Sequence, residues 1–76
     1  MEKGRKPPRD IALRREAYGE YAKAAVCFEL GGEMLPQAVR RAERALDLYG
    51  GIAMQNEEDR RAVEELKKLM SRGREE

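Results

Sequence analysis

Residues Glu20 to Gly50 read EYAKAAVCFELGGEMLPQAVRRAERALDLYG, and this stretch decides the fold. Upstream of Gly31-Gly32, the residues Tyr18, Tyr21, Ala25 and Phe28 recur at steps of three, four and three. That spacing places them on one stripe of a helix. Downstream, Ala38, Ala42, Ala45 and Tyr49 recur at four, three and four, with Val39 and Leu46 beside them. The glycine pair between the two patterns reads as a helix stop, because glycine takes the left-handed conformation of a C-terminal cap. Pro36 suits the first turn of the next helix. A short connection between two periodic stretches predicts an antiparallel helical hairpin. The alanines of the second helix allow the two axes to approach closely. The aromatic stripe of the first helix is expected to lie over them.

Working outward, the first helix is predicted over 10–30 and the second over 36–49. Asp10 or Pro8 marks the start of the first, as a cap or a first-turn proline. Gly19 sits inside that helix at a cost of about 1 kcal/mol relative to alanine. It reads either as a tolerated exposed glycine or as a point where another helix comes close. Residues 1–9 are charged, contain Gly4, Pro7 and Pro8, and read as a flexible basic arm. Gly50-Gly51 is expected to break the second helix, with Ile52 and Met54 plugging the end of the core. Asn56 is a good N-cap, and Glu57, Glu58 and Asp59 complement a helix N-terminus. A third helix is therefore predicted over 57–72, with Ala62, Val63, Leu66, Leu69 and Met70 on its apolar face. Gly73 is the expected stop, leaving 73–76 as a charged tail. The fold class is all-α, a three-helix bundle.

The chain has 76 residues, which is one domain at most. A chain this short buries only about 60% of its unfolded surface, so it needs close helix packing or surface from a partner. Its composition is 41% charged and 41% hydrophobic, with formal net charge +1. That balance is not a polycation's. Lys3, Arg5, Lys6, Arg9, Arg14 and Arg15 nevertheless concentrate positive charge near the N-terminus. A lone Cys27 fits a reducing compartment, so a cytoplasmic location is expected. The basic N-terminus is not followed by an apolar run, and no leader peptide is expected. No stretch approaches the ~20 apolar residues of a membrane span.

The hairpin resembles a tetratricopeptide repeat. Tyr21 stands at the first large position, Ala24 and Ala25 follow, and Phe28 comes next; Gly32 matches the turn glycine. Ala38, Ala42 and Ala45 match the second helix of such a repeat. The sequence departs from the pattern in a longer turn, in Gly50 where a proline is usual, in Ala25 for glycine and in Ala42 for a bulky residue. A single repeat is visible, and the third helix would cap it. In length and helix order the chain is also similar to a microtubule-interacting and trafficking domain, and its helix–glycine–helix stretch to enterobacterial regulators of the PerC type. The first two resemblances imply a protein-binding module.

No catalytic site is expected. Histidine is absent, which removes the commonest general base and metal ligand. Cys27 lies mid-helix among Ala, Val and Phe and reads as an inert buried thiol. There is no phosphate loop, dinucleotide fingerprint or zinc spacing, so no cofactor or metal is expected. The favoured reading is a non-enzymatic adaptor that docks a partner's peptide or helix in a groove between helices, lined by Tyr18, Tyr21, Phe28 or Tyr49. Pairing of the alanine faces across a two-fold axis is a homo-oligomeric form of the same reading. The rival reading is a nucleic-acid-binding regulator using the basic arm with Arg40, Arg41 and Arg44.

Overall fold

The computed structural model describes residues 8–75, all but the connections in helices. Helix α1 spans Pro8–Leu30, α2 spans Leu35–Gly50 and α3 spans Glu57–Glu75. The all-α three-helix architecture predicted from the periodicities is present. Residues 1–7 of the expected arm lie outside the described residues, and Pro8 and Arg9 belong to α1. Pro8 opens that helix, where a residue without an N–H leaves no donor unsatisfied.

Gly31 and Gly32 have φ of 65° and 56°, the left-handed geometry that the glycine pair predicts. The Gly31 amide donates to the Cys27 carbonyl at 3.0 Å and closes the last turn of α1. A single 3₁₀ turn over Gly32–Met34 then delivers the chain into α2. The second glycine pair works differently. Gly50 is still helical, and Gly51 has φ −83°, so no left-handed stop forms there. A Cβ at Gly51 would meet Leu13 Cδ1 at 3.3 Å, so the missing side chain makes room for α1. Ile52 then drops into the core, as expected, while Met54 stays exposed rather than plugging it. Gly73 does not stop α3, which continues through Glu75 and takes in most of the expected tail. One glycine costs a helix interior only about 1 kcal/mol, too little to end it without a competing cap.

The seam between α1 and α2 is alanine against alanine. Ala17 and Ala24 of α1 and Ala38, Ala42 and Ala45 of α2 are wholly buried. This corrects the expected seating of the aromatics: the stripe that meets α2 is the small-residue one, and the aromatic stripe is turned to its flank. Alanine-lined seams let backbones pack at the close end of the ~8–10 Å range. Helix α3 lays Ala62, Leu66 and Met70 against this hairpin, with Val63 partly buried beside them. It runs alongside α1 in the same direction. Arg14 near the start of α1 meets Asp59 near the start of α3, and Phe28 and Leu69 line one cavity near their other ends.

Candidate interaction site

The link from α2 to α3 is held by a buried polar network. Asp10, only 2% exposed, accepts the backbone N–H groups of Ala53 and Met54, each at 3.0 Å. It therefore caps a distant loop rather than its own helix. Asp59 accepts from the Asn56 amide at 3.0 Å, and Asn56 Oδ1 accepts from the Asp59 amide at 2.7 Å. This is a reciprocal capping box at the start of α3. Arg14 forks onto the same carboxylate, with Nε 2.9 Å from Oδ1 and Nη2 2.6 Å from Oδ2, and Nη2 also donates to the Met54 carbonyl at 3.2 Å. Two carboxylates and one guanidinium thus fix where α3 begins relative to α1.

The backbone donors of Ala53 and then Met54 hold the Asp10 carboxyl below its ordinary value of 3.8, against the opposing effect of burial. The unfolded chain therefore takes up this proton first as the pH falls. Asp10's contribution to stability is complete above the ordinary value and is lost as the pH drops through the lower folded value. Urea denaturation midpoints should fall in this acid window, and Asp10→Asn should flatten the fall. An equal acid slope in the variant would show that other carboxylates cause it.

With α3 placed, a groove opens between α1 and α3 at the hairpin end. Its cavity is about 620 Å³, floored by Ala25, Phe28 and Leu35, walled by Leu69, and rimmed by Glu29 and Arg72. Further along α1, the rings of Tyr18 and Tyr21 meet edge-to-face with centroids 6.1 Å apart. Burial, followed by the nearby charge of Glu65, pushes the Tyr21 phenol up. Tyr21 packs partly buried against the core, whereas Tyr18 is 63% exposed at the outer edge.

Of the four aromatics predicted to line a groove, Phe28 does so. Tyr21 and Tyr18 extend the same flank of α1. Tyr49 does not belong to it: at 2% exposure it is core. Its phenol is pushed up to about 12, chiefly by burial and then by the charge of Asp59. Tyr49 closes the alanine stripe of α2, where the periodicity placed it.

Arg40, Arg41 and Arg44 line one shallow depression together with Glu20 and Glu33. Arg41 Nη1 lies 3.2 Å from Glu20 Oε1, and Arg44 Nη2 lies 3.0 Å from Glu16 Oε2. Both pairs bridge α2 to α1. Arg40 is exposed beside them. Arg14 is committed to Asp59 on the other flank. The exposed Arg44–Glu16 pair contributes about 0–1 kcal/mol.

Cys27 is buried. Among the described residues no group of three or more Cys, Asp or Glu side chains is placed to hold a metal. No helix among them is long and apolar enough to cross a membrane. No protein-family model matches this chain, and neither the curated proteins nor the solved structures contain a match to it.

Proposed function

We propose that the chain is a non-enzymatic interaction module that docks a short apolar segment of a partner protein in the groove between α1 and α3. The observation that carries this reading is the groove itself, about 620 Å³ with Phe28, Leu35 and Leu69 left partly open by a core built of alanines. Pockets that seat apolar side chains of a peptide combine an apolar floor with polar groups that fix orientation; here Phe28, Leu35 and Leu69 supply the first, and Glu29 and Arg72 the second. Glu29 and Arg72 on opposite rims give the bound segment a direction through its own charges. The order of helices, with α1 and α3 side by side and α2 behind them, supports a tetratricopeptide-like adaptor. Neutralisation of Arg41 and Arg44 by α1 carboxylates supports protein rather than nucleic acid as the partner.

The test is selection of displayed random peptides on the pure domain, followed by chemical-shift mapping of the best binders. Shifts should concentrate on Ala25, Phe28, Leu35 and Leu69. Leu69→Glu should weaken binding at least about tenfold, the scale of one lost anchor. Arg72→Glu, on the exposed rim, should change which peptides are selected without changing thermal stability. Binders that map to Arg40 and the outer face of α2, or oligonucleotide binding lost in Arg40→Gln, would overturn the reading.

A further inference from the structure

The outer face of α1 is unusual for solvent-facing helix. Ile11, Arg15, Tyr18, Ala22, Val26 and Glu29 recur at steps of four, three, four, four and three, which is one face. Ile11 is 48% exposed and Val26 55%, alongside the open Tyr18. Gly19 borders the same face, and a Cβ there would meet nothing within 4 Å. No described residue lies close enough to require a glycine at that point. Neither Arg15 nor Glu29 forms an ion pair or hydrogen bond with another described residue. The alanines of α2, which the sequence offers for self-pairing, are already used inside the hairpin.

From this face we infer that the chain forms an antiparallel homodimer through α1, with the two-fold axis at Ala22. A face can pair with itself only if it is self-complementary about the axis. Turning α1 about Ala22 sets Arg15 against Glu29 of the second copy, and Glu29 against its Arg15. The same turn sets Tyr18 against Val26, while Ala22 meets its own copy. Large residues meet branched ones, the small Ala22 lies at the crossing where axes come closest, and both charges find opposite partners. Pivoting instead about Gly19 would set Arg15 against Lys23, so charge selects the Ala22 register. Phe28, Leu35 and Leu69 stay outside this interface, which shares Glu29 with the groove rim. The two-fold turns the two grooves toward opposite ends of the α1 pair, so one dimer would present two docking sites.

The experiment is sedimentation equilibrium of the full chain at micromolar to high micromolar concentration, with three variants. The wild type should be a monomer–dimer equilibrium. Arg15→Glu and Glu29→Arg should each weaken dimerisation about tenfold, since each puts like charges at two symmetric contacts. The double reversal should restore the wild-type constant. Both substituted positions are exposed, and unchanged circular dichroism would confirm that folding is intact. A wild type that stays monomeric, or a double reversal that fails to recover, would overturn the inference. Loss of peptide binding in Leu69→Glu with dimerisation unchanged would leave it standing.

Discussion

Asp59→Ala should lower the unfolding free energy by about 3 kcal/mol, from loss of an N-cap partner and of a nearly buried ion pair. Asp59 is 2% exposed and holds together three things at once: the first turn of α3, the Asn56 amide and the guanidinium of Arg14. Alanine leaves the Arg14 side chain without its carboxylate and the Asn56 amide without its acceptor. A domain of this length holds only about 4–11 kcal/mol in total, so the loss is a large share. Urea denaturation followed by circular dichroism measures it. Arg14→Ala should cost nearly as much, because it removes the counter-charge of the nearly buried carboxylate. The double variant should cost much less than the sum of the two, with a coupling energy of about 1–3 kcal/mol. Additive losses would mean that Asp59 acts through its cap alone and that the Arg14 pair contributes nothing.

That network shows where sequence reading stops. The helices were legible because each carries a period and a boundary signal: the alanine and tyrosine positions of α2, the glycine pair at 31–32, and the Asn56 start of α3. The rotation of α1 was not. Its aromatics and its small residues form two adjacent stripes, and periodicity alone does not say which one meets α2. Packing decides it, since alanines already line α2 and a second small stripe allows the closer approach. Phe28 therefore turned out to face the groove for a reason the spacing does not contain. Asp10 reads as a helix start and Arg14 as part of the N-terminal positive charge; only the path of the 51–56 segment buries Asp10 and seats Arg14 on Asp59. The Asn56–Asp59 spacing does carry a capping-box signal that points to Asp59. Its second partner lies 45 residues away and leaves no local trace.

Leu66→Ala should be the most damaging apolar truncation, at about 2–5 kcal/mol. Among the described residues Leu66 is the largest apolar side chain with no exposure at all; the others at zero are alanines. The α1–α2 hairpin is joined along a long seam of small residues, whereas α3 is attached through Ala62, Leu66 and Met70. Removing its most fully buried large anchor should therefore release α3 before the hairpin opens. Amide hydrogen exchange resolves the order: protection in α3 should fall well before protection in α2, at denaturant concentrations where the variant is still folded. Because Leu69 and Arg72 form one wall of the groove, peptide binding should disappear with α3 docking even while the hairpin persists. Uniform loss of protection across all three helices would mean instead that the domain unfolds as one unit, with the hairpin unable to hold its alanine seam without α3.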